Sequence, residues 1–357
     1  MISSLILPLY VSLISLVFGY NEAELVFAGD AMQHKAQLEA ASAGKGNYDY
    51  TTCFSEISGI VGCADYAVVN LETPIGAAPH TGYPCFNAPP TFADALADAG
   101  FDMFLTANNH TLDRGPRGLR STISELDARG LAHLGTYSND SARAAALPKV
   151  VDVKGFRIGF LNYTYGTNGI SPRDGVVVDY IDRAKMKEDI GALRDAGAEL
   201  VAVCIHWGEE YKLLPNASQK HLADFLEALG VDMIIGGHPH VIQPMEFRPN
   251  KYYPEKNVLL VYSLGNFFSN MKTADTRGGA MAHVKLFRGE DLKAQVKEAS
   301  YRLVFTIPGS SPSDNFRLLE ADSVKAPAWK ERAQEFCRRA RKIFDAHNVN
   351  VPEIKGL

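Results

Sequence analysis

Two periodicities alternate along the chain from Glu24 to about Ile235. Runs rich in Val, Ile, Leu and Phe fall at 24–29, 66–71, 102–107, 149–153, 156–163, 199–206, 231–236 and 258–263. Their length and β-branched content predict strands, and their continuity predicts burial on both faces. Between them, apolar residues recur at helical spacing over 92–99, 117–129, 181–196 and 217–229. Gly100, Gly130, Gly197 and Gly230 end these helices, where a left-handed C′ residue is needed. Lys154-Gly155 between two strands predicts a hairpin turn. The order strand–helix–strand predicts a layered α/β fold around a largely buried sheet.

The pattern changes after Asn270. AMAHVKLF and YRLVFTI, within 280–307, alternate apolar and polar positions and predict antiparallel strands on an edge or in a second sheet. PGSSPSDNF (308–316) reads as a loop. Over 327–346, Trp329, Ala333, Phe336, Cys337, Ala340 and Phe344 recur at roughly helical spacing and predict a closing amphipathic helix with a solvated basic face. No internal repeat or low-complexity linker divides the chain. One domain over 21–310 with a C-terminal extension over 311–357 is expected.

Composition adds limits. In 357 residues, 46% are hydrophobic and 22% charged, which is ordinary for a globular protein. A net charge of −5 supplies no broad basic surface, which disfavours nucleic acid as a partner. Residues 1–20 hold no Asp, Glu, Lys or Arg, and Leu5–Val17 is apolar except at Pro8, Ser12 and Ser15. That length suits the apolar region of a signal peptide better than a membrane span. Export to the periplasm or cell surface is expected, with a retained N-terminal anchor or a buried first element as the alternatives. Among the five cysteines, Cys53, Cys63 and Cys85 are close enough in sequence for one bridge, and Cys204 inside VAVCI reads as a buried thiol. No C-x-x-C pair points to a cysteine zinc site.

The chemistry gathers where strands end. VFAGD stops at Asp30, VVNLE at Glu72, FLTANNH at Asn109 and His110, CIHWG passes through His206, and IIGGHPHV carries His238 and His240. Ligands of α/β proteins bind beyond the carboxyl ends of strands, so these ends are expected to share one cavity. Carboxylate, amide oxygen and imidazole together suit a hard or borderline divalent metal. In GGHPH an extended backbone would turn both imidazoles to one side, and the glycines would let the chain approach a ligand closely. Asp113 lies three residues after His110 and is placed to hold its ring for proton donation. Glu210 is either a solvent-facing charge or a partner that orients a ligand. Asn266 in SLGNF is expected to line the pocket and donate hydrogen bonds. TGYPCFNAPP (81–90), with Phe86, is either a wall over the substrate or a plain surface loop.

The ordered set GDAM, NLE, ANNHTLDRG, HWGEEY, GGHPHV and SLGNF, from about Glu24 to Phe268, resembles the CapA/PgsA capsule-synthesis proteins associated with poly-γ-glutamate. That family is in turn similar to the calcineurin-like metallophosphoesterases. The resemblance implies a four-layer α-β-β-α sandwich with a centre of one or two divalent ions (Mn, Zn, Fe or Mg). It implies Asp30, Glu72, Asn109, His206, His238 and His240 as metal ligands and His110 as proton donor. The phosphoesterase first motif is Asp-x-His, and this chain has Asp30-Ala31-Met32, so one metal position is expected to lack a ligand.

Three functions follow as expectations. A metal-dependent hydrolase would have hydroxide attack a phosphoester or a γ-glutamyl amide, with His110 protonating the leaving group and Asp113 orienting it. A non-catalytic surface component would bind or export an anionic polymer alongside capsule-synthesis membrane proteins. A phosphatase unrelated to capsule would keep the fold and change the substrate.

Overall fold

A computed structural model describes residues 21–311 and 314–355. The signal-peptide reading of residues 1–20, and positions 312 and 313 of the expected loop, lie outside the described residues. In chain order the principal elements are β1 (Glu22–Ala31), α1 (Lys35–Ala40), β2 (Tyr66–Leu71), α2 (Pro90–Asp98), β3 (Met103–Leu105), α3 (Gly115–Ala128) and β4 (Ala132–Leu134). There follow β5 (Val150–Val153), β6 (Phe156–Thr164), α4 (Arg183–Asp195), β7 (Leu200–His206), α5 (Ala217–Ala228), β8 (Met233–Gly237), β9 (Ile242–Pro249) and β10 (Asn257–Leu264). The chain closes with β11 (Asn266–Phe268), β12 (Gly278–Arg288), β13 (Ala294–Ile307), β14 (Arg317–Glu320) and α6 (Pro327–His347).

Two sheets carry the fold. The first runs β14-β13-β12-β1-β2-β3-β4, with β11 also pairing β1; the second runs β9-β10-β8-β7-β6-β5. In both, the central strands are parallel; antiparallel strands are added on one side of the first sheet and at both edges of the second. Alternation along each strand decides the layers. Leu25 and Phe27 of β1 meet Ala202 and Cys204 of β7 in one core between the sheets. Val26 and Ala28 face the other way, against Phe92 and Leu96 of α2. Val201, Val203 and Ile205 face Ile190 and Leu193 of α4 and Leu222 and Leu226 of α5. The layers therefore run helix, sheet, sheet, helix, and the central strands are buried on both faces.

The strands of 280–307 take the edge placement: β12 pairs directly with β1 and extends the first sheet. Ala333, Phe336, Cys337, Ala340 and Phe344 of α6 are buried in the same core as the sheets. α6 thus packs into the body of the fold. β9, which contains Pro244 and Pro249, is absent from the sequence-predicted strands. It forms the edge of the second sheet, where a missing donor is tolerated. Cys204 is buried, and all five cysteines, including Cys53, Cys63 and Cys85, are free thiols.

Candidate metal centre

Register brings the strand ends together. In the β1–β2 pairing Asp30 sits opposite Asn70, so Glu72 emerges just beyond Ala31. Asp30 also faces Asn266 of β11, and His206 faces Gly237. The approach is close at Gly237, where an added Cβ would stand 2.8 Å from Asp30 Oδ1. A side chain there would displace the carboxylate.

The expectation of an extended His238-Pro239-His240 is corrected. His238 has φ 98° and His240 φ 57°, left-handed values that a non-glycine residue adopts at a cost of about 1–3 kcal/mol. A sharp reversal, not strand pleating, places the two rings, whose centroids lie 6.0 Å apart. Such strain persists where the surroundings enforce it, and here the His238 N–H donates to Asp30 Oδ2 at 3.2 Å.

Glu72 stands at the centre. Its Oε1 lies 3.6 Å from His206 Nε2, 3.8 Å from His240 Nε2 and 4.0 Å from His110 Nε2. The side chain is fully buried, and neither oxygen has a hydrogen-bond partner among the described residues. Asp30 accepts from Asn70 Nδ2 at 2.8 Å and lies 3.4 Å from His240 Nδ1. Asn109 Oδ1 is 2.8 Å from His206 Nε2. His110 Nδ1 is 2.8 Å from Asp113 Oδ2, and that oxygen accepts the Phe86 N–H at 2.8 Å. Ligand atoms of Asp30, Glu72 and His206 lie within 4.8 Å of one another, as do those of Glu210, His238 and His240.

Electrostatics follow from burial. Desolvation pushes the Glu72 carboxyl up to about 8, and the charge of Asp30 adds to it. Burial works against ionised Asp30 as well, but hydrogen bonds from His240 and Asn70 and the charge of His206 and His240 hold it at about 2. Burial pushes His206 down to about 3 and His238 to about 2, leaving neutral imidazoles. Burial opposes charge on His240 too, yet Glu72 and Asp30 drive it up to about 9. His110 is likewise raised against burial, by the Asp113 hydrogen bond and by Glu72.

These residues fit a divalent cation. An unpartnered buried carboxylate among imidazole nitrogens is costly by itself, and a cation satisfies it. Met32 is buried, and its backbone N–H donates to the Phe268 carbonyl.

The peripheral residues fall out differently. Phe86 is fully buried with its ring edge-on to His110 at 4.6 Å, so the 81–90 segment packs against the centre at Phe86 while Tyr83, Pro84 and Cys85 stay exposed. Asn266 is buried; its Oδ1 is 3.0 Å from His240 Nδ1 and its Nδ2 donates to the Thr276 carbonyl. It holds a histidine in place. Glu210 is exposed at the mouth. Two residues escape the sequence reading. Asn70, inside a strand run, contacts both Asp30 (2.8 Å) and His206 Nδ1 (3.3 Å); a polar residue amid VVNLE is the available signal. His34, half-buried against Phe86 at 5.3 Å, is pushed down to about 4 by burial and then by His240 and His110.

Residues 24–271 match the family model described as bacterial capsule synthesis protein PGA_cap. The PGA biosynthesis protein CapA of Bacillus subtilis is 28% identical over 274 residues, covering 73% of this chain and 67% of that one. The capsule biosynthesis protein CapA of Bacillus anthracis is 25% identical over 328 residues, covering 86% and 75%. Among solved structures, the NAD nucleotidase of Haemophilus influenzae gives a TM-score of 0.49 at 12% identity over 90% of this chain. This chain spans 56% of that nucleotidase.

Proposed function

This chain belongs to the bacterial capsule synthesis protein family, and from that premise we propose that it is a metal-dependent hydrolase acting on an anionic polymer of the poly-γ-glutamate type. The cleaved bond is a phosphoester or a γ-glutamyl amide. The observation that carries this reading is Glu72, buried without a hydrogen-bond partner among the described residues, at 3.6–4.0 Å from three imidazoles. Asp30, Glu72 and His206 would hold one cation, with Asn109 beside His206; Glu210, His238 and His240 would hold a second. Its identity is Mn, Zn, Fe or Mg. When bound, the cation supplies Lewis-acid chemistry, drawing charge from the reacting group and making water a better nucleophile at neutral pH.

The chain's own residues do the rest. Asp113 fixes the His110 tautomer through Nδ1, which leaves Nε2 directed at Glu72 and the centre. Against burial, the Asp113 hydrogen bond and the charge of Glu72 raise the His110 pKa, which favours the protonated ring that can deliver a proton to a departing oxygen or nitrogen. Phe86 shields that hydrogen bond from water. The apolar run 5–17 supports export, and an exported site would meet capsule polymer.

The test combines metal analysis of the purified protein with hydrolysis of aryl phosphodiesters and γ-glutamyl oligomers. Bound metal and turnover lost in His238→Ala are expected. Absence of metal, with activity unaffected by that substitution, refutes the proposal. The second reading, a non-catalytic polymer-binding component, is favoured by Met32 at the first motif. It predicts polymer binding without turnover by the metal-loaded protein.

A further inference from the structure

We propose that the cleft between the start of β12 and the first turns of α6 is an oxyanion site, taking a carboxylate or phosphate group on Arg277. Arg277 is 4% exposed, and its Nε and Nη1 are buried without a hydrogen-bond partner among the described residues. Its backbone is fixed, because its carbonyl accepts the Thr306 N–H at 3.1 Å. Its guanidinium lies over the Trp329 ring at 4.7 Å, and Arg332 lies on the same ring at 4.9 Å. The two cations share one aromatic platform, and neither makes an ion pair among the described residues.

The nearby acids are engaged elsewhere. Asp275 pairs with Arg339 at 2.5 Å, and Glu335 with Arg338 at 2.5 Å. The cleft, about 440 Å³, is lined by Lys272, Arg277, Arg332 and Arg338 against Glu331 and Glu335. Once the Glu335–Arg338 pair cancels, three cations face Glu331 alone. A buried guanidinium without a counter-charge destabilises a fold, and its planar fork matches two oxygens of one anion. A carboxylate or phosphate supplies what the fold leaves out.

The site is also tied to the metal centre. The Thr276 carbonyl, one residue before Arg277, accepts from Asn266 Nδ2 at 2.8 Å, and Asn266 Oδ1 is 3.0 Å from His240 Nδ1. That linkage suits a polymer whose repeated charges are gripped outside the centre that cuts it. The cleft stands without the hydrolase reading; only the choice of a γ-glutamyl probe rests on it.

The chain has two tryptophans, Trp329 stacked on the cleft residues Arg277 and Arg332 and Trp207 next to His206, so two indole N–H signals report the two sites. Full-length 15N-labelled protein is titrated separately with tri-γ-glutamate and with inorganic phosphate, and the signals are assigned with Trp329→Phe. The Trp329 signal is expected to shift saturably with at least one ligand, and which one responds identifies the anion. Arg277→Gln should weaken that binding about tenfold or more, the effect of losing a charge-assisted hydrogen bond. If Arg277→Gln does not fold, the double variant Lys272→Gln/Arg332→Gln, both exposed positions, should weaken it by about threefold. A Trp329 signal that neither ligand moves at tens of millimolar overturns the site, as does equal affinity in the variants. A ligand that moves only Trp207 also overturns it while leaving the hydrolase reading intact. Trp329 shifts in a protein without bound metal or turnover would do the reverse.

Discussion

Replacing Glu72 by Gln should change how the stability of the metal-free protein depends on pH. In the unfolded chain a glutamate releases its proton near 4.5, whereas burial beside Asp30 keeps Glu72 protonated to about 8. A folded pKa above the unfolded one contributes stability that is fully present below about 4.5 and lost as pH rises through about 8. At about 1.4 kcal/mol per pH unit, the native protein loses roughly 2–3 kcal/mol between pH 5 and pH 7 through this group. The amide of the Glu72→Gln variant does not titrate. It brings its own unsatisfied groups, which offset the comparison by about 1–3 kcal/mol at every pH, and it also removes the Glu72 charge that raises His240 and His110. Urea unfolding of EDTA-dialysed protein, followed by circular dichroism at pH 5, 6 and 7, gives the stability difference directly. The variant should gain about 2–3 kcal/mol relative to the native chain across that range. A difference constant to within about 0.5 kcal/mol refutes the reasoning, because Glu72 would then be ionised and partnered in the folded state. Saturating divalent cation should reverse the ranking, since the ligand carboxylate is what the variant lacks.

Other perturbations probe other parts of the molecule. Divalent cation at about a hundred times its Kd should stabilise the native protein by about 2.7 kcal/mol in thermal or chemical unfolding, and His206→Ala should abolish most of that gain. Asp113→Asn should lower kcat about tenfold or more and move the alkaline limb of the pH–rate profile to lower pH, with metal content unchanged. That direction follows because the Asp113 hydrogen bond is the first effect raising His110 against burial. Arg143 bridges Asp179 at 2.6 Å and Asp189 at 2.5 Å, and both carboxylates are buried. Arg143→Met should cost about 3–5 kcal/mol in urea unfolding. Burial already holds Asp179 up at about 6, so the loss should deepen as pH rises through that value. Phe160→Ala, in the core between the sheets, should cost about 3–5 kcal/mol with metal stoichiometry unaltered.

Much of the framework is local, and so it is legible along the chain. The central strands are buried on both faces, which writes each one as an unbroken apolar run such as VAVCI. The four glycines that close helices have positive φ, as their position after each periodic segment implies. Lys154 and Gly155 both take positive φ in the hairpin turn. The spacing of Ala333, Phe336, Cys337, Ala340 and Phe344 fixes both the last helix and the side of it that packs. Strand ends mark Asp30, Glu72, Asn109, His110, His206, His238 and His240, because a polar residue after a buried run faces the cavity beyond the sheet. What the chain alone could not decide depends on pairings between distant segments. Register sets Asp30 beside Asn70 and Asn266, and only that contact makes Asn266 a support for His240. The reversal at His238 and His240 is enforced by Asp30, more than two hundred residues away in sequence. Arg277 looks like any loop arginine until α6 folds over it and Asp275 and Glu335 find other partners. Local pattern determines which residues are buried; the company a buried charge keeps is settled only when the sheets and the last helix close around it.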